Sequence, residues 1–188
     1  MLPALVQRTI AAAGTSLSAL DAIAVSIGPG SFTGLRVALG LAKGMAFAAG
    51  LPLIGVPTLE ALALAADAAP GATVWAALDA RKQQVYAASF RIDAPLRCTR
   101  LSLDEATAPA ELAARLDPAS VLVGDATTAY PEIFAGRAVI RPFASFPPRG
   151  GVVAYCGWDR LQHGDSQNPG DLEPVYVRAP EAVLAMQK

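Results

Sequence analysis

The chain has 188 residues, 53% of them hydrophobic, with a mean hydropathy of +0.39, enough apolar matter for one core or two small ones. Its 15 basic and 16 acidic residues leave a formal charge of −1, so no basic field is available to hold a nucleic-acid backbone by counter-ion release. Cys98 and Cys156 stand far apart without a Cys-x-x-Cys pairing; they suit a reducing compartment as buried thiols and argue against a disulfide scaffold or a zinc site.

The opening Met1-Leu2-Pro3-Ala4-Leu5 lacks the cationic lead and long apolar core of a signal peptide. Leu2, Leu5, Val6, Thr9, Ile10 and Ala13 follow helical spacing, and Gly14 is placed to end that helix. Ala22 to Ile27 reads as a buried strand, Gly28-Pro29-Gly30 as a tight turn, and Ser31 as the N-cap of a helix from Phe32 to Ala49 that Gly50 stops. A second short strand, Leu51 to Val56, leads through Pro57-Thr58 into an alanine-rich helix, Leu59 to Ala69. Such alternation of helix and strand predicts a parallel sheet with right-handed crossovers. The most apolar window, Val37 to Val56, is interrupted by Lys43, glycines and Pro52, which argues against a membrane span and places the chain in the cytoplasm.

After a break at Pro70-Gly71, Thr73 to Asp79 and Val85 to Ile92 flank the polar Arg81-Lys82-Gln83-Gln84 as a hairpin, with Arg97 to Leu101 as a third strand. Ser102-Leu103-Asp104-Glu105 has capping-box spacing, and Pro109 to Leu116 reads as helix. Ser120 to Asp125 and Ala138 to Pro142 are further short strands, Gly151 to Gln162 a helix, and His163 to Pro174 loop. The expectation is an α/β chain in two lobes, residues 1–71 and 72–188.

The turn at Gly28 leaves backbone N–H groups at a helix N-terminus, where an anion can sit, although many strand-to-helix turns bind nothing. Gly28-x-Gly30-x-x-x-Gly34 has one residue more than the dinucleotide fingerprint, and no Gly-Lys-Ser/Thr closes it as a P-loop. The single histidine, His163, lies in the loop-like tail, which disfavours His-pair zinc sites and Ser-His-Asp or Cys-His arrangements. Asp79, Arg81, Asp125 and Glu60 remain as candidates for chemistry; strand-terminal aspartates also make ordinary Asx-turns, and each taken singly reads as structural. Trp75, Tyr86 and Tyr176 read as packing residues. The helix from Phe32 is two-sided: Phe32, Leu35, Leu39, Ala42 and Ala46 form one apolar stripe, and Val37, Leu41 and Phe47 with Gly40 and Gly44 spread over another. The first helix is its nearest apolar neighbour in sequence.

The run Ser26-Ile27-Gly28-Pro29-Gly30-Ser31-Phe32-Thr33-Gly34-Leu35-Arg36, with Gly40-x-x-x-Gly44 and Gly55-Val56-Pro57-Thr58-Leu59, resembles the TsaB (YeaZ) family of bacterial tRNA-modification proteins. Asp79-Ala80-Arg81 before Val85-Tyr86, then Val123-Gly124-Asp125 and Pro174-Val175-Tyr176-Val177-Arg178, follow in the family's order, so the resemblance runs from Met1 almost to the end. It implies the actin, sugar-kinase and Hsp70 (ASKHA) fold in two lobes. It also implies a non-catalytic partner of TsaD in placing a threonylcarbamoyl group on N6 of the adenosine 3′ of the anticodon. TsaD carries a metal-binding histidine pair; one histidine cannot be a pair, and the resemblance gives this chain no catalytic residue, no metal and no cofactor of its own, ATP being used by the complex. Partners implied are a TsaD-like subunit or a second copy, a TsaE-like ATPase, and tRNA only through the complex. Carried over by position, Leu2, Leu5, Val6 and Thr9 with Phe32, Leu35, Arg36 and Leu39 fall in or near a helix bundle with the partner, behind the turn residues Gly28, Pro29, Gly30, Ser31 and Gly34.

Two departures stand out. Family members open with a strand carrying an Asp-Thr segment and further strands before the first helix, whereas this chain begins at the Leu-Pro of that helix, which predicts a first lobe truncated at its N-terminus. Gln84 stands where the family commonly has Glu. An autonomous ATPase or phosphotransferase of the same fold is the competing reading; phosphoryl transfer needs phosphate loops and metal-holding carboxylates from both lobes, and the strand supplying one loop is missing here.

Overall fold

The computed structural model describes residues 2–142 and 149–177. Arg178 of the last family motif lies outside them. In chain order the elements are α1 (Leu2–Ala12), a 3-10 turn (Leu17–Ala19), β1 (Ile23–Gly28), α2 (Phe32–Ala49), β2 (Leu53–Pro57), α3 (Thr58–Ala65), β3 (Thr73–Arg81) and β4 (Gln84–Ala94). β5 (Arg97–Arg100), β6 (Glu105–Thr107), α4 (Pro109–Arg115), β7 (Val121–Val123), α5 (Ala126–Ala129), α6 (Pro131–Phe134), β8 (Val139–Ile140) and α7 (Arg149–Gln162) complete it.

β1 and β2 form a two-stranded parallel sheet joined through α2, as the alternation of helix and strand predicts. Strand side chains alternate between faces. Val25, with Ile23 and Ile27, meets Leu39, Ala42 and Ala46 of α2, while Ala24 on the opposite face meets α7. Gly157 makes that second contact possible: a Cβ there would lie 2.4 Å from the Ala24 Cβ. The larger sheet runs in the order β5-β4-β3-β7-β8, with β6 beside β4. The β3–β4 hairpin is its spine, in antiparallel register from Thr73 opposite Arg91 to Arg81 opposite Gln84, and β7 and β8 add parallel. One core cluster lies between this sheet, α3 and α7, around Leu59, Leu62, Val74 and Phe90; another lies under α4 to α6, around Trp75, Leu112, Leu122 and Phe134.

Several boundaries depart from the sequence reading. The alanine-rich helix ends at Ala65 instead of Ala69, because Asp67 takes a left-handed φ of 47°. The capping-box spacing at Ser102 to Glu105 starts no helix: the Ser102 hydroxyl accepts from Ser89 N–H at 2.9 Å, and Glu105 enters β6. The reciprocal contact occurs one turn later, where Glu111 accepts from Ala108 N–H and Thr107. The tail after His163 is loop, as expected, but it does structural work. Gln167 N–H donates to the Leu53 carbonyl and its side chain accepts from Gly55 N–H, so it lines the outer edge of β2; Leu172 is buried beside α2. Helix α7 and this tail, from the segment 72–188, thus pack on the sheet of the segment 1–71. Arg160 fastens the join: its Nη2 donates to both Glu60 carboxylate oxygens at 2.8 and 3.0 Å, and its Nη1 donates to the Gly55 carbonyl.

Candidate partner surface

The turn after β1 is a packed corner. Gly28 has φ +120°, and a Cβ on it would lie 2.4 Å from the Val175 carbonyl oxygen, so only glycine fits. The Gly28–Pro29 peptide is cis, Pro29 is fully buried, Gly28 N–H donates to Thr58 Oγ1 at 3.2 Å, and Val175 N–H donates to the Ile27 carbonyl at 2.7 Å. Ser31 caps α2 as the sequence predicts, accepting from Gly34 N–H at 3.3 Å, and Gly50 closes the helix in the left-handed conformation. The corner launches α2 at a fixed angle. A Cβ built on Gly30 would meet Leu35 only at ordinary contact distance.

The launch decides which side of α2 faces out, and two of the carried-over positions lie on the inner side. Leu35 and Leu39, assigned to the partner side, are 8% and 5% exposed; Leu39 packs with Ala42 and Ala46 on the sheet, and Leu35 lies against the Gly28 corner. The open stripe is the other one: Val37 is 55% exposed and Phe47 87%, with Gly40 and Gly44 between them, where an added Cβ would meet nothing within 4 Å. Phe32 is partly exposed, and Arg36 is tied down locally, its guanidinium 3.9 Å over the Phe32 ring while its Nε donates to Tyr176 Oη at 3.0 Å. Among the described residues α2 is the one helix long and apolar enough to cross a membrane by length and composition; one of its stripes is spent on the sheet. In α1, Leu2, Val6 and Ile10 are half-buried, Leu5 and Thr9 exposed, and no residue is buried. The outer edge of β1 likewise pairs with no strand among the described residues. An unpartnered apolar helix, an apolar stripe and an open strand edge thus share one end of the molecule's sequence, residues 2–49.

The candidates for chemistry resolve into supports. Asp79 Oδ1 accepts from Arg81 N–H at 2.9 Å and from the Tyr130 hydroxyl at 3.2 Å, and Asp79 N–H donates to Asp125 Oδ1 at 2.8 Å. This carboxylate holds a hairpin turn in which Arg81, Lys82 and Gln83 all have positive φ, a conformation that costs non-glycine residues energy. Gly124, at φ +117°, lets the chain pass the Ala77 carbonyl where a Cβ would lie 1.9 Å away. Burial, then the Asp79 charge, push the Tyr130 hydroxyl up. Glu60 is bound to Arg160. His163 is exposed and its Nδ1 donates to the Asp159 carbonyl at 2.7 Å. Cys156 is buried and Cys98 half-buried; burial above all, and then the nearby Glu60 charge, push their thiols up to about 11 and about 12. Among the described residues no group of three His, Cys, Asp or Glu is placed to hold a metal ion.

Comparison with known proteins gives these residues a context. The family profile described as TsaD, tRNA N6-adenosine threonylcarbamoyltransferase, matches residues 1–114. The tRNA threonylcarbamoyladenosine biosynthesis protein TsaB of Escherichia coli is 48% identical over 90 residues, 47% of this chain and 39% of that protein. An uncharacterized protein of Mycobacterium bovis is 31% identical over 181 residues, 94% of this chain and 73% of its own length. The structure of YeaZ from Pseudomonas aeruginosa superposes with a TM-score of 0.79 at 31% identity, covering 93% of this chain and 82% of that one. The matched part spans 39% of the length of the Escherichia coli TsaB and 35% of its Haemophilus influenzae counterpart.

Proposed function

The chain belongs to the TsaB (YeaZ) family, and from that premise we propose that it is a non-catalytic subunit in the formation of threonylcarbamoyladenosine in tRNA. It acts in the cytoplasm by presenting α1 and the outer stripe of α2 to a TsaD-like catalytic subunit, or to a second copy of itself, in a helix bundle. The observation that carries this reading is the unpartnered pair of helices: α1 buries none of its residues, and α2 exposes Val37 and Phe47 on the side away from its own sheet. Gly40 and Gly44 on that side permit a close backbone approach by a second helix. No step of the chemistry is assigned to Asp79, Asp125 or Glu60, since each is occupied by a structural partner. ATP and a TsaE-like ATPase belong to the assembly, and tRNA reaches this chain through it. The fold reading that goes with this is the two-lobed ASKHA one, with the β1–β2 sheet in one lobe and the larger sheet around β3 and β4 in the other.

The test is co-purification with a TsaD-like subunit from the same genome. A stable complex that restores threonylcarbamoyl transfer to tRNA is the expected result. Turnover of ATP by the isolated chain at an ordinary enzymatic rate would replace this reading with that of an autonomous phosphotransferase.

A further inference from the structure

The tail and α2 border an open surface groove of about 250 Å³ lined by Arg36, Leu39, Gly40 and Lys43 of the helix and by Glu173, Pro174 and Tyr176 of the tail. Arg36, Gly40 and Lys43 stand at i, i+4 and i+7, so two cations flank a position with no side chain, and a Cβ built on Gly40 meets nothing within 4 Å. The floor is apolar, Leu39 being buried. Tyr176 Oη accepts from Arg36 Nε, which leaves the phenol its own O–H to donate. Lys43 Nζ donates to the Gly170 carbonyl at 3.2 Å, which holds it at the groove and uses one of its three donors. Glu173 lies 3.9 Å from Lys43 and is 79% exposed.

From this geometry we infer that the groove is a seat for a single phosphodiester group of an RNA backbone. Three donors of different kinds, the Arg36 guanidinium, the Lys43 ammonium and the Tyr176 phenol, line one groove beside an apolar floor, which suits an oxyanion with several acceptor oxygens. The formal charge of the lining is +1, two cations less Glu173, which balances one phosphodiester; a triphosphate would bring excess negative charge beside Glu173. Such a seat neutralises one phosphate, so it orients an RNA that something else holds, in keeping with the chain's charge of −1. The choice of RNA rests on the function proposed above; the oxyanion chemistry rests on the groove alone.

The experiment titrates the full chain into fluorescently labelled tRNA at low salt and repeats the titration across a salt series. Weak binding is expected, with Lys43→Gln weakening it about tenfold and lowering the slope of log K against log salt by about one. Tyr176→Phe, which keeps the ring against Phe32, weakens it severalfold, and Glu173→Gln strengthens it, a gain that misfolding does not produce. Absence of binding at low salt, or wild-type binding by Lys43→Gln, overturns the seat. Diethyl phosphate should compete and acetate should not: equal competition by acetate overturns the phosphate assignment, and ATP binding tighter than tRNA in a Lys43-dependent way overturns the phosphodiester one. Co-purification of Lys43→Gln with the TsaD-like subunit is read separately. Failure of the wild-type chain to co-purify with that subunit while its tRNA binding is intact defeats the subunit reading and leaves the seat standing.

Discussion

Replacing Val37 by glutamate separates the two faces of α2 by experiment. Val37 is 55% exposed in the isolated chain, so its removal changes the fold's own stability by less than about 0.5 kcal/mol. In a helix bundle the same position becomes buried. Fully burying a valine is worth about 1.5–3 kcal/mol, and roughly half of that remains to be gained here, about 1 kcal/mol on association. A glutamate in its place forfeits this and strands a charge in an apolar contact, so the total loss is at least about 3 kcal/mol, or ~100-fold in Kd. Phe47, at 87% exposure, has most of its area left to bury, and Phe47→Ala should weaken association by about 2 kcal/mol, or ~30-fold.

The control is Leu39, at 5% exposure. Leu39→Ala opens a cavity in the sheet–helix core and costs about 2–5 kcal/mol, a fall in Tm of about 4–20 °C for a chain of this size. Size-exclusion chromatography with a TsaD-like subunit and thermal melts followed by circular dichroism read the two quantities independently. The expected pattern is a normal melt with lost association for Val37→Glu and a lowered melt for Leu39→Ala. Undiminished association of Val37→Glu refutes the assignment of the outer stripe, and an unchanged melt for Leu39→Ala refutes the packing of the inner one.

Other parts of the structure make equally definite statements. Gly28→Ala should lower stability by at least about 1–3 kcal/mol, because both φ +120° and the Val175 carbonyl forbid a side chain; a melt unchanged from wild type contradicts the tail's close approach. Glu60→Gln leaves the half-buried Arg160 without its carboxylate and should cost about 1–2 kcal/mol, less than a fully buried pair because both side chains retain over a fifth of their exposure. For the thiols the folded pKa values lie above the unfolded one, so their contribution to stability is complete below about 9 and is lost as pH rises through about 11 and 12. Correspondingly, iodoacetamide at pH 8 should label Cys98 and Cys156 slowly in the native chain and rapidly in denaturant, and equal rates would show both to be accessible.

The elements that local chemistry determines were readable from the sequence. Ser31 and Gly50 bracket α2 because an N-cap hydroxyl and a left-handed C-cap are local requirements, and the turn polarity of Arg81 to Gln84 marks the hairpin in the same way. Features set by distant contacts were not readable. Periodicity finds two apolar stripes on α2 and has no means of ranking them, because Leu35 and Leu39 become core only when β1 is set against that side by the corner at Gly28. The tail reads as loop from its glycines and asparagine, yet Gln167, Leu172 and Val175 bind strands more than a hundred residues earlier in the chain. The same holds for Arg160, whose partner Glu60 is a hundred residues away and carries no local mark.

The first helix brings these threads to one physical conclusion. A helix of 11 residues is marginal in water even with favourable composition, since nucleation is costly and few hydrogen bonds repay it. In proteins the balance is supplied by burying an apolar face, but in α1 Leu2, Val6 and Ile10 are only half-buried and Leu5 is exposed. Its stability as a helix must therefore be coupled to whatever covers that face. On the bundle reading the cover is another subunit's helix, so amide hydrogen exchange in residues 2–12 should be fast in the isolated chain and slowed strongly in the complex, while exchange in β3 and β4 stays slow in both. Strong protection of α1 in the isolated monomer would mean that the chain itself supplies the missing contact, and the open stripe of α2 would then be the first place to look for it.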